Sequence, residues 1–399
     1  MNTLSRSEWV CGGVALAMLA FLGMQSFGAG PTSTIQYAKA AVTQCASESD
    51  HAACYESVIP ALYPKLSVAQ LFEVVREVRR EDTSYQFCHV LAHKIGERVV
   101  AEDPSKWVDA IPLNPADGIC SNGFVHGVVG GRFRAEVLST SSITQLLPDF
   151  KRACEPRTGY APSDLDRSIC YHGMGHLFDF ITNADIPVAL GLCTKTTPED
   201  YRRMCIEGVF MQINQPLEPD DFELIKQMAV KPTEDTVRSY CATFKDPLYV
   251  GACLRESWPY FTAGIKNGTE VAEFCSGQPD ALRTTNCYES MSSIVGRMTL
   301  SDIHQADAAC KNFPAKWRQM CYNYSAEAVL EEDRNDASKA IALCGLAGGD
   351  MTTQCQQLLV DHSRFLFGQN TAQRDAFCAA LPQDLRAACM RPYTNPTNS

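Results

Sequence analysis

Apolar residues recur at helical spacing along most of the chain. In residues 66–78, leucine, valine and phenylalanine fall on one face of a 3.6-residue period, and polar side chains occupy the opposite face. Comparable segments recur further along the chain, and the strict alternation typical of strands is scarce. The pattern predicts an all-α protein whose amphipathic helices bury their apolar faces against one another.

One apolar run differs from these amphipathic segments. Residues 9–30 contain no charged side chain, and about 20 mostly apolar residues are needed to span a bilayer. The run ends in Gly28, Ala29 and Gly30, which also resemble the end of a cleavable signal peptide. We therefore expect residues 1–30 to be a signal-anchor, with the membrane as a partner through residues 9–30, or a cleaved signal peptide. The first predicts a membrane-anchored extracytoplasmic domain, periplasmic or extracellular, and the second a secreted protein.

The cysteines predict a disulfide framework. The chain has 19 cysteines, of which Cys11 lies in the apolar run, and the remaining 18 fall into successive short-range pairs. The predicted pairs are Cys45 with Cys54, Cys88 with Cys120, Cys154 with Cys170, Cys193 with Cys205, Cys241 with Cys253, Cys275 with Cys287, Cys310 with Cys321, Cys344 with Cys355 and Cys378 with Cys389. No pair has the CxxC spacing of structural zinc sites, and so many bridges require an oxidising compartment.

The pairs repeat with a constant interval. Cys287, Cys321, Cys355 and Cys389 are each 34 residues apart, a period typical of helical hairpins. In this respect residues 45–392 resemble disulfide-stapled tetratricopeptide-like helical-repeat proteins, although the tetratricopeptide consensus residues are absent. The resemblance is one of organisation and implies a solenoid of hairpins, each clipped by a disulfide, without implying an activity.

The second cysteine of a pair is expected to open a helix. Cys54 and Cys287 are each followed by the same three residues, tyrosine, glutamate and serine, which ties the first pair to the later repeats. The disulfide would then clip the corner between the two helices of a hairpin.

Cysteine and histidine placement suggests the following division of the chain. After the N-terminal segment 1–30, residues 31–44 are expected to be a linker, and residues 45–240 an N-terminal helical region with the histidines. Residues 241–392 are expected to be regular cysteine-paired repeats, followed by a tail at 393–399.

Five of the eight histidines follow cysteines in the N-terminal region. His89 and His93 come after Cys88, and His126 comes after Cys120. Bridged cysteines have Cα atoms within about 7 Å, so a disulfide between Cys88 and Cys120 would bring these three histidines together. The other three histidines of the chain show no such pattern, and we expect them to be ordinary surface or packing residues.

A second histidine pair follows Cys170. His172 and His176 stand four residues apart, as His89 and His93 do, so each pair projects from one face of a helix. The sixth residue after the second cysteine of a pair is His126, His176 or Met211, so these side chains should form a row along the repeats.

Imidazoles arranged in this way are typical transition-metal ligands. We predict a metal site formed by His89, His93, His126, His172 and His176. Three further side chains are expected to be additional ligands or to support the histidines by accepting hydrogen bonds, namely Glu97, Asp179 and Met211. Copper or zinc is favoured, with the thioether of Met211 tilting the choice towards copper, and non-haem iron stays open. The alternative is that the histidines only pack in the core.

Charge and motifs exclude several functions. The formal net charge is −11 and no lysine or arginine block is present, which argues against nucleic acid as a partner. HExxH, G-x-S-x-G and Walker motifs are absent. The sequence thus favours an extracytoplasmic metal-binding helical-repeat protein, which could be a metal-dependent redox enzyme. The alternative is a structural solenoid, or one that binds a protein or peptide partner, with no metal and no catalysis.

Overall fold

The computed structural model describes residues 33–85, 87–133, 137–228 and 230–391. The apolar run 9–30 and the predicted tail lie outside these ranges. Helices dominate the described residues, which contain no strand and only one isolated bridge, between Arg157 and Tyr160. In the same residues, no helix is both long enough and apolar enough to span a membrane. The prediction of an all-α protein is confirmed.

The helices of the N-terminal part precede and contain the histidines. They are α1 (Thr34–Cys45), α2 (His51–Val58), α3 (Val68–Glu81), α4 (His89–Glu102), α5 (Trp107–Ala110), α6 (Gly123–Phe133), α7 (Thr140–Ala153), α8 (Asp164–Ile181), α9 (Ile186–Thr196), α10 (Glu199–Asn214) and α11 (Pro219–Lys226). Short 3-10 turns connect several of them, at Pro60–Leu62, Pro104–Lys106, Ile111–Leu113 and Ile119–Asn122.

The C-terminal helices are α12 (Val237–Cys241), α13 (Pro247–Glu256), α14 (Thr262–Lys266), α15 (Val271–Ser276), α16 (Ala281–Met298), α17 (Ile303–Asn312), α18 (Arg318–Glu332), α19 (Ser338–Ala347), α20 (Gly349–Asp361), α21 (Ser363–Phe367), α22 (Thr371–Ala380) and α23 (Gln383–Cys389). Two further 3-10 turns lie at Trp258–Phe261 and Ala315–Trp317.

Local sequence explains where these helices begin. Ser67 caps α3 through a reciprocal pair of hydrogen bonds with Gln70, and Ser163 caps α8 in the same way with Asp166. Such caps satisfy backbone N–H groups that have no partner inside the helix. The segment 31–44, predicted as a linker, is instead helical from Thr34, because the first hairpin begins before its first cysteine.

All nine predicted disulfides are present, with Cα–Cα distances from 5.0 to 5.7 Å. In the typical pair, the first cysteine lies near the end of one helix and the second lies in the second turn of the next helix, as with Cys193 in α9 and Cys205 in α10. The bridge therefore joins the two helices of a hairpin. The pair Cys88/Cys120 is the exception, since it joins the starts of α4 and α6.

The expectation that the second cysteine opens a helix is wrong, as Cys54 and Cys287 show. Both form the predicted bridges, with Cα–Cα distances of 5.6 and 5.7 Å, but each lies inside its helix rather than at its first residue. The physical reason is the capping residue upstream. Asp50 accepts a hydrogen bond from a first-turn N–H of α2, and Asp280 does so for α16, so both helices start before the cysteine.

The longer helices pack in sequence order. Helix α4 packs on α6, α6 on α8, α8 on α10, α10 on α13, α13 on α16, α16 on α18 and α18 on α20. This succession supports the predicted helical repeats. The buried apolar residues form two clusters, one from Ala38 to Leu254 and a second from Ile265 to Cys389 that also includes Leu165.

Contacts between distant repeats add to this succession. The backbone N–H of Arg334 donates to the Asp117 carbonyl over 3.0 Å, and its buried guanidinium donates to the Asp166 carboxylate over 2.9 Å. The Asn335 amide donates to the Asp117 carboxylate, 218 residues away in sequence. An ideal solenoid has contacts only between neighbouring repeats. Here the loop after α18 also lies against the segment before α6.

Candidate metal centre

The five predicted histidines converge on one place in the fold, around His126. The ring centroid of His126 lies 5.3 Å from that of His89, 5.5 Å from His93, 5.8 Å from His172 and 5.2 Å from His176. The two pairs within single helices have their centroids 4.6 and 5.0 Å apart. We call these five side chains the histidine cluster. The sequence prediction that they are neighbours is confirmed.

Glycines allow the helices that carry the cluster to approach closely. A Cβ atom added at Gly127 of α6 would overlap the backbone carbonyl of His93 in α4, and one at Gly208 of α10 would overlap the carbonyl of His172 in α8. Each glycine therefore touches the backbone of a histidine. This close approach compensates for the poor helix propensity of glycine, about 1 kcal/mol below alanine.

The atypical disulfide fixes a turn beside His89. Cys120, Ser121 and Asn122 all have left-handed backbone conformations, with φ of 58°, 50° and 57°, which residues other than glycine rarely adopt. In this turn the Cys120 carbonyl accepts a hydrogen bond from His89 Nδ1 over 3.1 Å. Because Nδ1 is the donor, the lone pair of a neutral His89 ring is on Nε2.

A carboxylate orients His93 in the same way. Its Nδ1 donates to Glu218 Oε1 over 2.7 Å, and the second oxygen of Glu218 accepts from Lys94. Lys94 also donates to Glu97, which the sequence analysis proposed as a supporting residue. Glu97 thus acts on His93 through Lys94 and Glu218. Hydrogen bonds of this kind are typical of histidines that ligate a metal through the other ring nitrogen.

An amide and a second carboxylate orient His176. Its Nδ1 lies 2.7 Å from Gln212 Oε1, and Gln212 Nε2 donates to Asp221 over 2.9 Å. Since a carboxylate only accepts, Gln212 turns its nitrogen towards Asp221 and its oxygen towards His176, which makes His176 Nδ1 the donor. The other oxygen of Asp221 accepts from the backbone N–H groups of Leu217 and Glu218. One short segment, residues 217–221, therefore positions two histidines.

His172 contacts sulfur rather than oxygen. Its Nε2 lies 3.0 Å from Met211 Sδ. The predicted row of His126, His176 and Met211 is present as a set of neighbours around one cavity, although the ring that contacts Met211 is His172.

Burial keeps three rings of the cluster neutral, those of His89, His126 and His172. Burial, followed by the proximity of His93, lowers the pKa of His89 to about 3. Burial and the neighbouring imidazole of His176 also lower the pKa values of His126 and His172 well below the usual value for histidine. These rings therefore keep a lone pair at neutral pH, which is the form that binds metals.

Ring nitrogens of His93 and His126 have no hydrogen-bond partner within the described part of the chain. Nε2 of His93 and Nε2 of His126 are both buried, and neither has a donor or acceptor within reach. A buried polar atom without a partner costs about 1 to 3 kcal/mol, so native proteins rarely keep one without a reason.

These nitrogens face a small cavity. It has a volume of about 30 Å³ and is lined by four of the five histidines together with Met211 and Gln212. His89, His93 and His126 each offer a nitrogen, and these atoms lie within 4.8 Å of one another. Tetrahedral zinc holds its nitrogens about 3.3 Å apart, so each imidazole needs to move inwards by about 1 Å or less. The three residues therefore fit a transition-metal ion.

Asp179 does not support the cluster. Both of its carboxylate oxygens are buried without a hydrogen-bond partner in the described residues, and burial raises its pKa well above the usual value. It does not line the cavity, and no hydrogen bond joins it to a histidine in the part of the chain that the structure describes. Asp179 instead lies close enough to Tyr240 to contribute, after burial, to raising the pKa of that tyrosine.

The sequence analysis missed three residues that orient the cluster, Gln212, Glu218 and Asp221. Gln212 directly follows Met211, so its place in α10 was a usable signal. Glu218 and Asp221 form the capping pattern at the start of α11, and that pattern indicates only a helix start. Nothing in their spacing connects them to histidines 125 residues earlier in the chain.

The comparisons with known proteins gave no relative. No protein-family model, no curated protein and no solved structure matches this chain.

Proposed function

We propose that this protein binds a transition-metal ion through Nε2 of His89, His93 and His126. The observation that carries the proposal is the pair of buried Nε2 atoms on His93 and His126 without hydrogen-bond partners. Hydrogen bonds on Nδ1 of His89 and His93 turn the lone pairs of those rings towards the same cavity. A metal ion accepts several lone pairs at one point, which no hydrogen-bond donor of the described residues does here.

The proposed site belongs to an extracytoplasmic protein. Nine disulfides require an oxidising compartment, and this supports a secreted or extracellular location. The membrane anchor predicted at residues 9–30 stays a prediction. The overall form we propose is a solenoid of disulfide-clipped hairpins, curved so that its C-terminal repeats reach the segment before α6.

The size of the cavity favours metal binding over chemistry on an organic substrate. Pockets for organic ligands measure about 300 to 1,000 Å³, whereas the cavity at the cluster measures about 30 Å³, enough for an ion and about one water. A larger cavity of about 210 Å³ borders His89, but it lies on the side of Cys88 and Ser121, away from His93 and His126. Copper and zinc are the metals that this donor set suits best.

Metal reconstitution tests the proposal. The purified protein is stripped with a chelator, loaded with Zn²⁺ or Cu²⁺, and assayed by elemental analysis and competition with a chromophoric chelator. We expect His93→Ala and His126→Ala each to weaken zinc binding at least 100-fold. His304→Ala, a variant of an exposed histidine on α17, serves as the matched control and should bind zinc as the wild type does.

Two results would overturn the proposal. One is a wild-type protein that takes up neither metal after reconstitution. The other is equal loss of binding in His126→Ala and His304→Ala. If His126→Ala unfolds at a lower temperature while the wild type binds no metal, the histidines have only a packing role, and the alternative of a structural or partner-binding solenoid stands.

A further inference from the structure

The imidazole of His172 and the thioether of Met211 face each other in the outer part of the cluster. Their Nε2 and Sδ atoms are 3.0 Å apart, and Met211 lines the same cavity as His126 and His176. Neither His172 nor Met211 belongs to the group of three histidines whose nitrogens lie within 4.8 Å of one another. The pair therefore needs an explanation of its own.

The tautomer of His172 decides what this contact is. A neutral imidazole carries one proton, on either Nε2 or Nδ1. With the proton on Nε2, the ring donates a hydrogen bond to Met211 Sδ. With the proton on Nδ1, the lone pairs of Nε2 and of sulfur lie side by side and can bind a cation together.

The geometry points to a soft-metal subsite at His172 and Met211, selective for Cu⁺, beside the three-histidine site. Two ligands of a tetrahedral copper ion, a nitrogen at about 2.0 Å and a sulfur at about 2.3 Å, are about 3.5 Å apart. The observed separation is 3.0 Å, so the two side chains need to move apart by about 0.5 Å to bind the ion. Thioethers are soft ligands that favour Cu⁺ over Zn²⁺.

Two further imidazoles lie close to the pair. The ring centroids of His176 and His126 are within 5.8 Å of that of His172. Gly173 gives His126 room, because a Cβ atom at this position would lie 2.7 Å from His126 Cδ2. This subsite rests on the proposed function only in lying beside the same cavity, which Met211 lines, since its two defining ligands are different residues.

Copper titration of the full protein tests the subsite. Cu⁺ is added anaerobically in competition with a chromophoric Cu⁺ chelator, to the wild type, to Met211→Leu and to Met291→Leu. Leucine nearly preserves the volume of methionine, so both variants should fold. Met291 is a buried methionine of α16 in the C-terminal apolar cluster and is the matched control. We expect Met211→Leu alone to weaken Cu⁺ binding at least tenfold.

X-ray absorption gives a second readout. In selenomethionine-labelled protein, copper bound at the subsite should show a Cu–Se distance, and Met211→Leu should abolish it. Equal Cu⁺ affinity in the two methionine variants, together with no Cu–Se scattering, would overturn the subsite. The zinc assay separates this outcome from failure of the three-histidine site, because His93→Ala should weaken zinc binding in the wild-type background whatever Met211→Leu does to Cu⁺ binding.

Discussion

The histidine region and the C-terminal repeats share one arrangement of disulfide-linked helices but differ in how their buried polar side chains are paired. In both regions a disulfide joins successive helices, and the longer helices pack in sequence order. In the C-terminal repeats, polar side chains pair with each other: His362 donates to Glu327 over 2.8 Å, and Tyr324 donates to Glu289 over 3.2 Å. The histidine region instead leaves buried nitrogens facing a cavity.

The two regions also differ at positions that are equivalent in the repeat. The sixth residue after the second cysteine is His126 or His176 in the histidine region, and Ser293 or Glu327 in the C-terminal repeats. Ser293 donates to a carbonyl of its own helix, and Glu327 accepts from His362. The side chain at this position is hydrogen-bonded within the protein in the C-terminal repeats, whereas in the histidine region it offers a lone pair to the cavity. One helical position can thus carry a side chain that is hydrogen-bonded within the protein or a histidine that faces the cavity, although the backbone before His126 departs from the repeat at the Cys88/Cys120 bridge.

The largest expected effect is the loss of stability and of zinc binding when the atypical Cys88/Cys120 bridge is removed, compared with removal of a bridge within a C-terminal hairpin. Replacing Cys88 and Cys120 by serine should lower the free energy of unfolding by about 4 kcal/mol, and replacing Cys344 and Cys355 by about 3 kcal/mol, because the first bridge closes a longer loop. Only the first change should also abolish zinc binding. Chemical denaturation and zinc competition check both statements, and equal zinc affinity in the two variants would contradict the role given to the Cys88/Cys120 bridge.

Substituting alanine for two helical glycines should change stability in opposite directions, because one glycine touches a neighbouring helix and the other does not. Gly127→Ala should destabilise the protein by about 2 to 3 kcal/mol, because its Cβ atom meets the backbone of His93. Gly345→Ala should stabilise it by about 0.5 to 1 kcal/mol, because Gly345 is an exposed helical glycine with open space around it. Thermal unfolding of both variants measures the difference. A neutral effect at Gly127 would show that α4 and α6 do not need their close approach.

Two histidine–glutamate pairs allow a matched test of ligand orientation. Glu218→Gln should weaken zinc binding about 10- to 100-fold, because the amide no longer fixes the His93 ring as the carboxylate does. Glu327→Gln alters the corresponding pair with His362 in the C-terminal repeats and should leave zinc affinity unchanged. Competition with a chromophoric chelator gives both values. Equal affinity in the two variants would remove Glu218 from the site.

The smallest expected effect is a difference in pKa between two histidines, His362 in the C-terminal repeats and His89 in the cluster. Glu327 raises the pKa of His362 above 6.5, whereas burial lowers the pKa of His89 to about 3. His362 therefore contributes stability below pH 6.5 that is lost as pH rises through its folded pKa. His89, neutral when folded, contributes stability above pH 6.5 that is lost as pH falls towards 3.

NMR titration of the histidine ring protons in chelator-treated protein measures this difference. At pH 5 we expect His362 to be protonated and His89 to be neutral. His362→Ala assigns the first signal. A midpoint near 6.5 for His89 would show that solvent reaches the cluster freely.

Periodicity and cysteine spacing were sufficient to predict the helices, the nine bridges and the convergence of five histidines. These features depend on interactions between residues close in sequence, and on one disulfide whose partners could be found by elimination. The segment predicted as a linker at 31–44 contains helix α1, whose start is marked in the sequence by the capping pair Ser33 and Gln36. The helices begin before Cys54 and the other second cysteines, at earlier residues than predicted, because capping residues rather than cysteines set where a helix begins.

Only the tertiary structure decided which nitrogens face the cavity. The acceptors that fix His93 and His176 are Glu218 and Gln212, and the loop after α18 reaches Asp117 from 218 residues away. No local pattern encodes such contacts, because a side chain is recruited by its position after packing rather than by its neighbours in the chain. The sequence determined the histidines, and the fold determined the direction of their lone pairs.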